Sequence, residues 1–165
     1  MVDVLSPEQR RLNMSRNRGS NTAPELAVRK LLRELGCTGY RLHVRDLPGR
    51  PDIVLRRSRR AIFVHGCFWH RHSCVYGQAT PKTNARFWKE KFDRNIMRDR
   101  QSKRSLHALG WSFTTIWECQ LRHPARVRAR LAEAIWQRVR RSSRGIGSVS
   151  RSGIRYRIRE TVSNR

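Results

Sequence analysis

The chain has 165 residues, of which 37 are lysine or arginine and 12 are acidic, so its formal net charge is +25. This length fits one domain, and no apolar run approaches the ~18 residues that a membrane-spanning helix needs. Because so large a positive excess draws a protein towards polyanions, the composition predicts nucleic-acid binding. An anionic membrane surface is the weaker alternative.

The four cysteines bear on the compartment. The segment after Met1, Val-Asp-Val-Leu-Ser-Pro, lacks the basic start and apolar core of a secretion signal, so we expect a cytoplasmic protein. In that compartment, clustered Cys and His hold metal more often than they form disulfides. Cys37, which follows Gly36 at a predicted helix end, is interpreted as a packed, inert thiol.

Two helix starts open the chain. The first, Ser6-Pro7-Glu8-Gln9, begins a basic arm over residues 6–18, and the second, Thr22-Ala23-Pro24-Glu25, is the stronger. Periodic leucine and valine residues follow the second start until Gly36, which predicts a helix. The sequence divides into a basic, DNA-binding N-terminal arm (1–21), a folded domain (22–139) and a basic tail (140–165).

Four strands and three further helical segments are predicted in the folded domain. The predicted strands cover about 40–44, 53–55, 61–64 and 111–117. The predicted helical segments cover about 85–92, 96–109 and 124–139. The first three strands should pair antiparallel and the fourth should add in parallel, giving a mixed α/β sheet flanked by helices. The tail is rich in Ser, Gly and Arg and is predicted to be disordered or weakly ordered.

Two thiols and two imidazoles lie in one nine-residue loop, Gly-Cys-Phe-Trp-His-Arg-His-Ser-Cys. Sulfur and nitrogen donors suit zinc, which takes about four ligands in a tetrahedron. Cys119 is the obvious distant thiol to complete the site. In an extended segment His70 and His72 would face the same side, so spacing alone leaves the ligand open. Local geometry favours His72, which lies two residues from Cys74.

Asp52 opens an apolar strand, where a carboxylate must be either solvated or paired. Bound Mg²⁺ would pair it, whereas the alternative is an ordinary turn aspartate. Two features favour the metal. A backbone carbonyl could share the ion where the third strand ends at Val64-His65, and Glu25 could reach the same sheet edge. Glu25 could also serve as the capping partner of Thr22.

His70 is a candidate proton acceptor, because an unperturbed imidazole titrates near neutrality. Asp99, on a predicted helix, is a plausible carboxylate to orient the ring. The alternative for Asp99 is a surface salt bridge with Arg98 or Arg100.

Five ordered segments across residues 8 to 123 resemble the bacterial very-short-patch-repair (Vsr) DNA mismatch endonuclease family. They are Leu47–Asp52, Phe63–His70 with His72 and Cys74, Phe87–Lys91, Asn95 with Arg98–Arg100, and Leu109–Trp111 leading into Ile116–Cys119. The resemblance implies a restriction-endonuclease-like core with a structural zinc loop and one or two catalytic Mg²⁺ ions. It also implies nicking of one strand beside a T·G mismatch left by deamination of 5-methylcytosine.

The resemblance further implies roles for individual residues. At the catalytic site, Asp52 and the Val64 carbonyl would be Mg²⁺ ligands. Glu25 and His65 would hold metal-bound water or phosphate. His70 would be the general base, and Asp99 would orient it. The zinc ligands would be Cys67, His72, Cys74 and Cys119. The DNA contacts would be the wedges Phe68, Trp69 and Trp88, Met14 from the other groove, and Lys91 and Asn95 at bases.

The implied partners are double-stranded DNA with a T·G mismatch and, as further candidates, mismatch-repair proteins. We expect a monomer in the bacterial cytoplasm, associated with the nucleoid and with no membrane partner. The sequence departs from restriction nucleases in that Phe63-Val64-His65 replaces their second acidic residue and lysine. Two rival hypotheses remain: a noncatalytic zinc-containing nucleic-acid-binding protein, and a related restriction endonuclease that cuts both strands of unmismatched DNA.

Overall fold

A computed structural model describes residues 6, 8–9 and 19–142, with side chains as far as residue 136. The strands are β1 (Arg41–Leu42), β2 (Ile53–Leu55), β3 (Arg60–His65) and β4 (Ser112–Trp117). The helices are α1 (Ala23–Glu34), α2 (Val75–Gln78), α3 (Ala85–Ala108) and α4 (Pro124–Ser142), with a 3-10 turn over Glu118–Arg122.

The predicted helix starts are confirmed by reciprocal capping. Thr22 Oγ1 accepts the backbone N–H of Glu25 at 3.5 Å, and the Glu25 carboxylate accepts the backbone N–H of Thr22 at 3.4 Å. The same exchange joins Ser6 and Gln9. Ser6 Oγ accepts the backbone N–H of Gln9 at 3.2 Å, and Gln9 Oε1 accepts the backbone N–H of Ser6 at 2.9 Å. Each pair satisfies N–H groups that a helix start leaves without an intrahelical partner.

The four strands form one sheet in the order β1-β2-β3-β4. β1, β2 and β3 pair antiparallel, and β4 pairs parallel with β3 after the α3 crossover. The predicted mixed sheet is therefore confirmed. β3 ends at His65, which pairs with Trp117 at the end of β4. Because β2 runs antiparallel to β3, it begins, just after Asp52, at this same end of the sheet. We call this shared end the sheet edge.

The sheet is covered on both faces by apolar side chains. One face packs against α1 and α4 through Val28, Leu31, Leu32, Ile53, Leu55, Ile62, Ile116, Val127 and Leu131. The other packs against the loop before β2 and α3 through Val44, Leu47, Val54, Ala61, Phe63 and Leu106. These two layers hold the shared sheet edge in a fixed position.

Two predicted boundaries are wrong. The segments 85–92 and 96–109 form a single helix, α3, because Asp93-Arg94-Asn95 contains neither glycine nor proline to end it. β1 is shorter than the predicted 40–44 strand, since His43 has a left-handed backbone with φ of +46°. A continuous α3 keeps Trp88 and Asp99 on one rigid element.

The remaining predictions about the ends of the chain stay predictions. Met14 and most of the basic arm lie outside the described residues, as does the tail beyond Ser142. In the part of the chain that the structure describes, no helix is both long enough and apolar enough to span a bilayer.

Candidate active site and metal centre

Asp52 lies at the sheet edge, one residue before β2. Its Oδ2 accepts the backbone N–H of Val64 at 2.7 Å, so β3 fixes one oxygen of the carboxylate. Burial raises the pKa of Asp52, and the nearby charge of Glu25 raises it further, against the lowering effects of the Val64 N–H and His43. The contact made by Val64 is through its N–H; the predicted role of its carbonyl stays a prediction.

Glu25 reaches the same edge from the first turn of α1, as predicted, and it is buried. A residue that the sequence analysis missed, His43, lies between the two carboxylates. Its Nε2 is 3.4 Å from Glu25 Oε2 and its Nδ1 is 4.0 Å from Asp52 Oδ1. The predicted pairing of the first two strands could have pointed to His43, because this residue lies directly opposite Asp52 in the hairpin. Its backbone N–H donates to the Asp52 carbonyl at 3.1 Å.

His70 and Asp99 form a close pair. His70 Nδ1 is 2.6 Å from Asp99 Oδ2, so the loop before α2 and the middle of α3 meet through this contact. Burial acts to raise the pKa of Asp99, but the hydrogen bond and charge of His70, with His65 and Lys103, hold it below its usual value. The surface salt bridges considered for Asp99 are not formed among the described ion pairs.

His65 supports the ring of His70. The two imidazoles stack with their centroids 3.7 Å apart and their planes 11° from parallel. Burial, together with the charges of His70 and Lys103, lowers the pKa of His65 to about 3, against the opposing effect of Asp99. The low pKa favours the neutral form of His65, whose ring packs flat against that of His70.

One cavity of about 190 Å³ joins these groups. Asp52, His65, His70 and Asp99 all line it. Three cations that the sequence analysis did not single out as functional, Arg50, Arg98 and Lys103, also line it. A cavity that combines carboxylates, an oriented imidazole and cations can hold a phosphate group, a divalent ion and water together.

Cys67, His72, Cys74 and Cys119 form a second cluster, with their ligand atoms within 4.8 Å of one another. Burial raises the pKa of the Cys67 thiol to about 12, while the hydrogen bond with His72 lowers the pKa of Cys74 to about 6. Three sulfurs and one imidazole nitrogen are the donor set of a closed tetrahedral zinc site. The residues present therefore fit a structural zinc ion.

The loop that carries these ligands is a tight turn and not an extended segment, so His70 and His72 are not required to face the same side. The backbone N–H of His70 donates to Gly66 and that of His72 to Cys67, at 3.2 and 3.1 Å. The turn sends His70 towards Asp99 and His72 into the cysteine cluster. Gly77 packs so closely that a β-carbon there would lie 2.1 Å from the His72 carbonyl.

Half-buried aromatic rings form a cluster between the turn that carries His70 and α3. Phe68 makes edge contacts with Trp69 and Trp88, at centroid distances of 5.2 and 5.5 Å, and it packs on the buried Phe92. The Lys91 ammonium lies 5.0 Å from the Trp69 ring and 5.2 Å from Trp88.

Asn95 anchors this cluster to α3, since its side-chain amide donates to the Trp69 carbonyl at 3.0 Å. This contact orders the loop that carries the rings. The predicted base contact of Asn95 stays a prediction.

Comparison with known proteins identifies the family. The family model described as DNA mismatch endonuclease Vsr matches residues 2–76. The type II nicking enzyme V.XorIIP of Xanthomonas oryzae pv. oryzae is 47% identical over 131 residues, which cover 79% of this chain and 95% of that protein. The chain belongs to the Vsr family of DNA mismatch endonucleases.

Two further relatives support the assignment. The DNA mismatch endonuclease Vsr of Escherichia coli K12 is 42% identical over 122 residues, covering 74% of this chain and 77% of that protein. The type II nicking enzyme V.HpaIIP of Haemophilus parainfluenzae is 35% identical over 141 residues, covering 83% and 98%. The resemblance inferred from the ordered motifs is confirmed, and the protein is a DNA endonuclease, a hydrolase of phosphodiester bonds.

Proposed function

We propose that the protein is a Mg²⁺-dependent endonuclease that acts as a monomer and nicks one strand of duplex DNA beside a T·G mismatch. The observation that carries this proposal is the cavity lined by Asp52 and the His70–Asp99 pair, together with the half-buried aromatic rings on the turn that carries His70 and on α3. Such a cavity can receive a backbone phosphate while the rings engage the adjacent base pair.

His70 is the proposed general base. Asp99 accepts the Nδ1 hydrogen of His70, which leaves the Nε2 lone pair directed away from Asp99. As water attacks phosphorus, the new P–O bond forms and the water proton passes to Nε2. The P–O bond to the departing sugar oxygen breaks, and that oxygen takes a proton from solvent.

Asp52 is the proposed principal Mg²⁺ ligand, with the Val64 carbonyl as a second ligand and with Glu25 and His65 holding associated water or phosphate. Oxygen donors suit this hard cation. When bound, the ion would stabilise negative charge that develops on the phosphate oxygens. Arg50, Arg98 and Lys103 line the same cavity and add positive charge for the phosphate.

The proposed zinc ligands are Cys67, His72, Cys74 and Cys119, and the role of this centre is structural. It would lock the turn that carries both His70 and the first two aromatic rings. A locked turn limits the ordering cost when the rings enter DNA.

Phe68, Trp69 and Trp88 are the proposed wedges at the mismatch. Insertion of a ring unstacks a base step, which costs a few kcal/mol and costs least at a mispair. Lys91 and Asn95 are proposed to contact bases, and Met14 is proposed to enter from the opposite groove. The edge-to-face ring packing supports this role, because it holds the rings before DNA arrives.

The noncatalytic zinc-module hypothesis is disfavoured, because it has no need for Asp52 and Asp99 in one cavity or for Glu25 close to Asp52. The restriction-endonuclease hypothesis shares the cavity and differs in substrate. Mismatch-repair proteins remain candidate partners on sequence grounds alone.

The test is a cleavage assay on duplexes labelled separately on each strand, carrying T·G, T·A or C·G at one position. We expect a nick in the T strand of the T·G duplex, loss of nicking with a chelator and recovery with Mg²⁺. Asp52→Asn should reduce the rate at least about 10³-fold, the equivalent of ~4 kcal/mol of barrier. Equal cutting of both strands of paired DNA would favour the restriction alternative; tight binding without cleavage would favour the noncatalytic one.

A further inference from the structure

His43 is held in a conformation that non-glycine residues seldom adopt. Its φ of +46° lies in the left-handed region, which is costly for a residue with a β-carbon and persists where surrounding contacts impose it. The backbone N–H bond to the Asp52 carbonyl is one such contact. The consequence is that the imidazole lies between Glu25 and Asp52.

Arg29 determines the protonation pattern of that imidazole. Its Nη1 donates to Asn21 Oδ1 at 2.6 Å, and its Nη2 lies 3.1 Å from both Glu25 Oε2 and His43 Nε2. A guanidinium has only donors, and Nη2 carries two hydrogens, one for each of these contacts. His43 Nε2 is therefore the acceptor from Arg29.

This contact decides between two interpretations of the 3.4 Å approach of His43 Nε2 to Glu25 Oε2. A hydrogen on Nε2 directed at Glu25 would set two donors, His43 and Arg29, face to face at 3.1 Å. The Arg29 contact is shorter and electrostatically favourable, so the ring proton belongs on Nδ1. That atom faces Asp52 Oδ1 at 4.0 Å.

The same tautomer excludes His43 as a metal ligand. Glu25, His43 and Asp52 each offer an atom within 4.8 Å of the others, which is the spacing of a cation site. A ligating imidazole nitrogen must present a lone pair, and here the Nε2 lone pair meets Arg29 while Nδ1 carries hydrogen. The 4.0 Å gap to Asp52 is too long for a direct hydrogen bond and fits a bridging water or a shift of about 1 Å.

We propose that His43 is a positioning residue: Arg29 fixes its tautomer, and its Nδ1–H, which faces Oδ1 of Asp52, holds that oxygen through a bridging water or after a shift of about 1 Å. The carboxylate then meets the divalent cation in one orientation. The Val64 N–H already fixes Oδ2. The proposal rests on the proposed role of Asp52 in binding that cation.

The tautomer can be measured without any substitution. Long-range ¹H–¹⁵N correlation spectra of the zinc-loaded protein should show the His43 proton on Nδ1. A proton on Nε2 would overturn the proposal.

The function of the donor is tested with His43→Asn, which keeps an N–H group near the position of Nδ1, and His43→Leu, which has none. Mn²⁺ binding by the zinc-loaded protein is followed by electron paramagnetic resonance, and nicking is followed against Mg²⁺ concentration. For His43→Leu we expect a roughly tenfold or greater rise in the Mn²⁺ dissociation constant and in half-saturating Mg²⁺, as for other supports of metal ligands. Metal-free DNA affinity and the rate at saturating Mg²⁺ should stay near the parent values.

His43→Asn should remain within about threefold of the parent on both measures, because it restores the donor. Thermal unfolding of each variant shows whether it folds. Two outcomes overturn the proposal: His43→Leu matching the parent, or His43→Asn losing as much cation affinity as His43→Leu. Asp52→Asn is measured in parallel, so that failure of the proposed cation site can be distinguished from failure of the proposed role of His43. If it still nicks at the parent rate, the proposed cation site itself fails; if it does not nick while His43→Leu matches the parent, only the role of His43 fails.

Discussion

The cysteine–histidine cluster and the carboxylate cavity are built in opposite ways. Three of the four cluster ligands come from one turn of the chain, whereas the cavity draws Asp52, His70 and Asp99 from separate elements. The turn serves both, because it gives His72 to the cluster and His70 to the cavity. Damage to the cluster should therefore disable the cavity, while damage to the cavity should leave the cluster intact.

The largest effect should come from Cys119→Ser, which removes the ligand that ties the turn to the end of β4. We expect zinc content to fall below one per chain, the free energy of unfolding to fall by several kcal/mol, and nicking to fall at least about 10³-fold. Metal analysis, thermal unfolding and the strand-specific assay measure these. Cys37→Ser, which changes a thiol outside the cluster, should keep the zinc. Parent-level nicking by zinc-free Cys119→Ser would break the proposed dependence.

The two imidazoles of the turn give a sharper test. His70→Ala should lose about 10² to 10⁴ in nicking rate, the range for a general base, while retaining zinc and its unfolding temperature. His72→Ala, only two residues away, should lose zinc as well as activity. If His70→Ala also released zinc, the proposed assignment of His72 to the zinc site and of His70 to the cavity would be wrong.

The two regions also differ in how far sequence could predict them. Cys67, His72 and Cys74 are close in sequence, so donor chemistry and local geometry predicted that they cluster, and Cys119 was the obvious distant thiol to complete the set. Asp52 and Glu25 were found because a strand start and a helix start are recognisable and lie at one sheet edge. His43 was missed although the hairpin sets it opposite Asp52, because its left-handed backbone ends β1 early and the sequence does not show that the ring turns between two carboxylates. The fused α3 was missed because the apolar periodicity weakens at Asp93-Arg94-Asn95, although this segment contains neither glycine nor proline.

An intermediate effect is expected at the aromatic cluster, which depends on the turn but not on the cavity. Trp88→Ala should weaken binding to T·G duplex by about 5- to 150-fold, since base–aromatic stacking is worth ~1–3 kcal/mol, and should spare binding to paired DNA. The matched control is Trp136→Ala, which removes an exposed indole from α4. Equal losses on mismatched and paired duplexes would mean that Trp88 supports the fold and does not enter the mismatch.

The smallest expected effect is a change in unfolding temperature, which shows whether a charged side chain stabilises or destabilises the fold. Burial and the charge of Glu25 raise the pKa of Asp52 in the folded protein, so folding favours its neutral form and the cost of its charge grows as pH rises. Asp52→Asn should therefore raise the unfolding temperature of the magnesium-free, zinc-loaded protein by roughly 1–4 °C near neutral pH, and the gain should shrink towards pH 4.

Asp46 provides the control of opposite sign. The hydrogen bond from Arg56 lowers the pKa of Asp46, so its contribution favours folding above the unfolded pKa and is lost as pH falls. Asp46→Asn should accordingly give no rise in unfolding temperature at neutral pH. If Asp52→Asn instead lowered the unfolding temperature, the Asp52 carboxylate would be a net stabilising group, and the cavity would resemble the cluster in supporting the fold. A rise for Asp52→Asn alone would mean that the cavity holds a charge at the expense of stability, as expected of a site shaped to receive a cation.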